Sequence, residues 1–313
     1  YYPAGDEFVL VYECTGRLIP PGGIPLEVGT VVHNSETLYN IAEAMEGRPV
    51  TKKILTVTGE VATPMSMAVP VGIPLQEVID IAGGTTTPDY SVFVGGLMMG
   101  KLVEDLSQPV TKTTGGLIVL PTSHRLVQRV LTPDKAMHRI GKSACDQCSY
   151  CTEFCPRYLL GYDVQPHKVM RTLGFTASGK HNWSKWADLC CQAIADRKDA
   201  GMERWLGPTT EIKAHPMEKG RHVPLKALMQ KLGVTSYNVP APWHDIDYDA
   251  RKVTLPLSQH VGAPSRAVVQ AGDKVRVGQL VADIPDGKLA ANIHSSIEGT
   301  VTNVNGSVTI EKI

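Results

Sequence analysis

The chain has 313 residues with 42% hydrophobic and 20% charged content, the composition of a multi-domain globular protein. Its 31 basic and 31 acidic residues cancel, which removes any electrostatic case for nucleic acid or an anionic membrane surface. No apolar run approaches the length of a membrane span. Seven cysteines fit a reducing cytoplasm, and 29 glycines with 22 prolines point to many turns and short strands rather than a helical bundle.

Residues 1–49 begin abruptly at Tyr1 and read as the tail of a larger domain. Phe8–Tyr12 reads as a strand or a buried helix, and Ile19–Pro25 as a loop. Asn34, Ser35, Glu36 and Thr37 followed by Leu38, Ile41, Ala42 and Met45 predict a capped amphipathic helix.

Residues 50–124 alternate in the manner of a small mixed domain. Lys53–Val61 and Met67–Val71 predict strands, and Pro74–Ala82 a helix stopped by Gly83 and Gly84. Ser91–Val94 and Gly116–Leu120 predict further strands, and the strand–strand–helix–strand order suggests a β-grasp. Met65, Met67, Met98 and Met99 read as core or adaptable packing.

Residues 125–238 read as mostly helical and carry Cys145, Cys148, Cys151, Cys155 and Pro156. This C-x2-C-x2-C-x3-C-P spacing is the bacterial signature for a [4Fe–4S] cluster, in which soft thiolates each meet one iron. Cys145, Cys148 and Cys151 are expected to share one cluster, with Cys155 serving it or a second. Structural zinc favours two separated C-x2-C pairs and disulfides an oxidising compartment, so both are the weaker readings. Trp183 and Trp186 are expected to shield a cluster near Cys190. The histidines, among them His167, His215, His222, His260 and His294, show no paired metal-binding spacing and read as surface or capping residues. Lys226–Leu232 predicts a helix closed by Gly233.

Residues 239–313 open with an extended linker, Val239–Trp243, and continue as strand and turn. Gly299–Val304 and Ser307–Ile310 are predicted strands around Asn305-Gly306, a type I′ turn signal. Lys288, after Asp286 and Gly287, lies near where a lipoyl or biotinyl hammerhead carries its modified lysine, and is more simply a solvated hairpin lysine.

On the segments Gly22–Gly29, Thr56–Val61, Val94–Gly100, Pro109–Thr114, Cys145–Leu160 and Leu257–Pro264 the chain resembles the corrin reductases of propanediol-utilising microcompartments. More distantly it is similar to the C subunit of the Rnf electron-transport complex and the NADH-binding flavoprotein subunit of respiratory complex I. The resemblance implies an α+β multidomain fold: the remnant of a Rossmann-like flavoprotein domain over 1–49 and a soluble-ligand-binding β-grasp over 50–124. A helical ferredoxin-like domain over 125–238 and a linker with an all-β barrel-sandwich hybrid over 239–313 complete it. It also implies electrons passed from NADH through FMN and one or two [4Fe–4S] clusters to cobalamin, with a corrinoid adenosyltransferase and microcompartment shell proteins as partners. The implied location is the cytoplasm, inside a microcompartment. An Rnf-type subunit and a non-catalytic scaffold with a structural cluster are the competing readings. By the same resemblance Gly5, Asp6, Glu7, Asn34 and Thr37 correspond to flavin- and NADH-lining positions, with His33 where the relative has an asparagine. Residue by residue, Cys190 corresponds to the first ligand of a second cluster and Cys191 to a bystander, although the run breaks off after Gln192. A chain with a single cluster would instead use Cys190 or Cys191 to complete it or keep them as buried thiols.

Overall fold

The computed structural model describes residues 1–133, 135–136, 139–140, 145–175 and 212–312, and divides into two compact units. One comprises residues 1–32 with 132–232, the other 33–131 with 233–313.

In the first unit the ambiguous run after Asp6 is a helix, Glu7–Thr15. Its β-branched residues alone do not decide this; the ends do. The Asp6 carboxylate accepts from the Phe8 and Val9 amides at 3.0 and 3.3 Å, satisfying two orphan donors, and Gly16 closes the helix in the left-handed conformation. Val9 packs with Leu160 and Tyr162 in a small core flanked by Phe8, Tyr12, Leu18 and Ile212. A single bridge, Tyr2 to Val223, joins the start of the chain to the segment that follows the cysteine region. Short helices Tyr150–Glu153, Pro156–Leu159 and Pro166–Phe175 surround the cysteines.

The second unit is built on a five-stranded mixed sheet. Its strands are β1 (Lys52–Gly59), β2 (Met65–Pro70), β3 (Tyr90–Val94), β4 (Lys101–Val103) and β5 (Gly116–Pro121), in the order β2-β1-β5-β3-β4. The β1–β5 pair is parallel and the rest antiparallel, and the helix Leu75–Ile81 buries Leu75, Val78 and Ile79. That is the expected β-grasp, with β4 as an addition too short to show alternation. The helix stops as anticipated: the amides of Gly83 and Gly84 bond back to Asp80 and Ile79.

Seven further strands form two small sheets: β6 (Lys252–Pro256), β7 (Arg266–Ala267), β8 (Lys274–Val275), β9 (Leu280–Asp283), β10 (Ile293–His294), β11 (Gly299–Val304) and β12 (Ser307–Glu311). Their orders are β6-β12-β11-β8 and β10-β9-β7. The β-grasp and these sheets share one core, in which Leu55, Val57, Met67 and Val119 lie with Val253, Leu255, Val281, Val308 and Ile310. Polar links reinforce it: the Lys112 amide donates to the Gln259 side chain at 2.9 Å and its ammonium to the Asn292 carbonyl at 2.6 Å.

Four local expectations are corrected. The helix Ser35–Met45 forms, but the Asn34 side chain makes no cap bond, and Leu38, Ile41 and Met45 are exposed rather than buried. Glu36 holds it instead, accepting from the Ile54 amide at 3.0 Å and pairing with the buried Lys53 ammonium. The β11–β12 hairpin is as expected, yet only Gly306, at φ +67°, is left-handed, so the turn is not type I′, which needs two such residues. The extended stretch before Trp243 is no free linker, because Pro242 and His244 bond the backbone of Ser66 at the edge of β2. Met65 and Met67 are core, whereas Met98 and Met99 stand in solvent.

Lys53 is 6% exposed, so removing its carboxylate partner strands a charge in a dry site. Glu36→Ala is expected to cost about 3 kcal/mol, and the double change Glu36→Leu with Lys53→Met to recover most of it. Urea denaturation of the three proteins checks this.

Candidate iron–sulfur site

The cysteine loop starts from residues that no β-branched or bulky side chain would suit. Gln147 and Ser149 both take positive φ, at +63° and +66°, and wrap the chain tightly between Cys145 and Cys151. The Cys148 amide donates to the Asp146 carboxylate at 3.2 Å. The Cys148 thiol, then its amide, hold the Asp146 carboxyl below the usual carboxylate range. Cys155 caps the helix Pro156–Leu159, and Pro156 occupies its first turn, where a missing N–H costs nothing. Cys148 and Cys151 are exposed, Cys145 and Cys155 half-buried, and all four are free thiols.

Three clamps fix this loop. Thr152 is buried, and its hydroxyl meets His167 Nδ1 at 2.7 Å while accepting from the His167 amide at 3.0 Å. Glu153 accepts from Arg221 at 3.1 Å, and that guanidinium lies 4.7 Å from the Phe154 ring centroid. Arg157 pairs with Asp6 and stacks 3.8 Å from the Phe8 centroid. Just beyond, Tyr162 donates its hydroxyl to the Ile19 carbonyl at 2.6 Å, and burial pushes its pKa up to about 12.

The four thiolates fit an iron–sulfur cluster by donor type and by being carried on one wrapped loop. A single zinc fits less well: bonds of about 2.3 Å would bring any three sulfurs within roughly 4.6 Å of one another. Among the described residues no three thiols converge to within 4.8 Å. Cys190, Cys191, Trp183 and Trp186 lie outside the described residues.

The flavin-lining candidates fall in different units. Gly5, Asp6 and Glu7 belong to the first, Asn34 and Thr37 to the second. Gly5 is open, with no atom within 4 Å of where a Cβ would stand. Asp6 fits a flavin contact poorly, because its carboxylate is engaged by the helix amides and by Arg157. Glu7 is exposed in the first helical turn, Asn34 is exposed, and Thr37 is half-buried.

Four family models match in succession. They are the Nuo51 FMN-binding domain over residues 1–43, the SLBB domain over 54–102, a 4Fe-4S dicluster domain over 144–194, and the RnfC barrel sandwich hybrid domain over 244–312. With the thiol loop, these define a flavo-iron–sulfur electron-transfer protein whose cofactors are FMN and a [4Fe–4S] cluster. The chain is 40% identical over 325 aligned residues to cobalamin reductase PduS of Salmonella typhimurium, covering 97% of this chain and 72% of that protein. To the same-named protein of Citrobacter freundii it is 39% identical, covering 97% of this chain and 71% of that protein. The chain therefore belongs to the PduS cobalamin reductase family, a family of oxidoreductases. It is also 36% identical over 162 residues to the RnfC-type component of the Na(+)-translocating ferredoxin:NAD(+) oxidoreductase complex of Acetobacterium woodii, covering 50% of this chain and 33% of that protein.

The raised Tyr162 pKa has a consequence above pH 10. The unfolded chain loses its phenol proton near 10, the fold near 12, so this residue's stabilisation is complete below pH 10 and drains away between 10 and 12. The stability gap between the wild type and Tyr162→Phe is expected to narrow from pH 9 to pH 11. Denaturation midpoints at the two pH values measure it.

Proposed function

We propose that this protein reduces the cobalt of a cobalamin with electrons drawn from NADH. The observation that carries the reading is the cobalamin reductase likeness over 97% of the chain, joined to a complete four-thiol run. The Rnf-type likeness spans only 50% of the chain, which favours the corrin reductase reading. No helix among the described residues is long and apolar enough to cross a membrane.

In this reading Cys145, Cys148 and Cys151 hold one [4Fe–4S] cluster, with Cys155 completing it or reaching a second one through Cys190. Gly5, Glu7, Asn34 and Thr37 serve the flavin and nicotinamide, and Asp6 supports them by holding the helix and Arg157 in place. When bound, FMN exchanges an electron pair for single electrons and the cluster carries them singly. The protein's own part is to fix the ligands, to keep the loop rigid through Thr152, Glu153 and Arg157, and to expose Cys148 and Cys151 at the side where an acceptor can approach. The domain division is 1–49 flavoprotein segment, 50–124 β-grasp, 125–238 iron–sulfur domain and 239–313 linker with the barrel-sandwich hybrid. A corrinoid adenosyltransferase is the consumer of the reduced cobalt, and the enclosing shell of a bacterial microcompartment is the setting.

Serine at Cys145, Cys148 or Cys151 is expected to abolish the broad absorbance near 400 nm and to remove most bound iron and sulfide. NADH-dependent reduction of cob(II)alamin, followed spectrophotometrically under anaerobic conditions, should fall at least tenfold in each variant. Unchanged iron content in all three would refute the ligand assignment. Normal iron with no cob(II)alamin reduction in the wild type would refute the acceptor alone.

A further inference from the structure

We propose that Glu13, Glu218 and His222 bind one divalent transition-metal ion of the zinc class, at a site separate from the thiol loop. Glu13 lies on the helix Glu7–Thr15, Glu218 caps the 3-10 turn Lys219–Arg221, and His222 follows that turn. One ligand atom from each converges to within 4.8 Å of the other two. All three residues belong to the first unit.

Each group is held for the task. Glu218 is 6% exposed and meets His222 Nε2 at 2.8 Å. The imidazole ring stacks on Tyr1 with centroids 4.0 Å apart and planes 8° apart, which fixes the direction of Nε2. Tyr1 in turn donates its hydroxyl to the Glu13 carboxylate. The charge balance points to a cation. Two carboxylates are drawn together, yet among the described residues no lysine or arginine pairs with either. The nearest guanidinium in the sequence, Arg221, is turned instead to Glu153 and Phe154.

The donor chemistry selects the ion. One imidazole nitrogen and two carboxylate oxygens suit zinc, with bonds of about 2.0–2.2 Å. Rotation of the exposed Glu13 side chain closes its gap, and the Glu218–His222 hydrogen bond opens to admit the metal, which leaves a fourth position for water or the Tyr1 hydroxyl. Such an ion would staple the flavoprotein-domain helix to the segment that follows the cysteines.

The test uses protein loaded with its cluster under anaerobic conditions, incubated with Zn²⁺, passed through a desalting column, and assayed for zinc and iron by mass spectrometry. Wild type should retain one zinc per chain beyond any that His222→Ala or Glu218→Gln retains, with iron equal in all three. Glu13→Gln, an exposed change that leaves the fold intact, should weaken zinc binding at least tenfold by titration calorimetry. Zinc should also raise the thermal midpoint of wild type but not of the variants. Retention of the same zinc by wild type and all three variants, as thiol-bound zinc would give, overturns the proposal. So does a wild type that retains none, since the trio is then a hydrogen-bonded structural cluster.

Discussion

One guanidinium carries the first unit. Arg157 sits directly after the last cysteine of the run and its proline, and it reaches the Asp6 carboxylate and the Phe8 ring on the N-terminal helix. The same Asp6 already caps that helix, so the two interactions are cooperative: the cap orients the carboxylate for Arg157, and Arg157 neutralises a charge that would otherwise be held only by backbone dipoles. An arginine suits this place better than a lysine, because a planar guanidinium can satisfy a carboxylate and lie flat on an aromatic face at once. The result is that the segment matching a flavoprotein domain and the segment bearing the thiols form a single packed body, with Val9, Leu160 and Tyr162 at its centre.

Rigidity of this kind has a chemical use. Outer-shell contacts orient metal ligands and tune the metal they hold. Thr152 and Glu153, which lie between Cys151 and Cys155, are each tied to a distant residue, His167 and Arg221. The loop is thus braced from within its own ligand sequence, while its outer thiols remain open. The second unit is organised on a different principle. There the β-grasp and the C-terminal sheets share apolar core residues, and polar ties such as Lys112 to Asn292 only supplement the burial.

What the sequence makes legible follows from strong local chemistry. The thiol spacing, the glycine stop after Ala82, the alternating strands and the Asn305-Gly306 hairpin all carry their signal within a few residues. The N-terminal helix is ambiguous in sequence, since Phe-Val-Leu-Val-Tyr suits either period; Asp6 and Gly16 at its ends are the deciding marks. The exposed face of Ser35–Met45 misleads because an amphipathic pattern states that a face is apolar, not that this chain covers it. The β4 strand is too short to show a period, and the edge contact of Pro242 and His244 with Ser66 is a long-range pairing that no local pattern encodes. Likewise the Glu13–Glu218–His222 trio is invisible in sequence, because only the fold brings the end of one helix to a turn far along the chain; the histidine alone reads as a surface residue.

The role of Gly5-Asp6-Glu7 divides along the same physical line. The family likeness places all three in one functional class, but their surroundings in this chain separate them. Asp6 has its oxygens committed to two amides and a guanidinium, and displacing those bonds for a ligand would uncap the helix and strand Arg157. Gly5 offers backbone with open space beside it, and Glu7 holds an exposed carboxylate on the first turn. A ligand approaching this end of the helix therefore finds Gly5 and Glu7 available and Asp6 behind them as the support. The same guanidinium that braces the thiol loop thereby keeps the flavin-facing segment in position. Any loosening at Arg157 is transmitted to both ends of the proposed electron path.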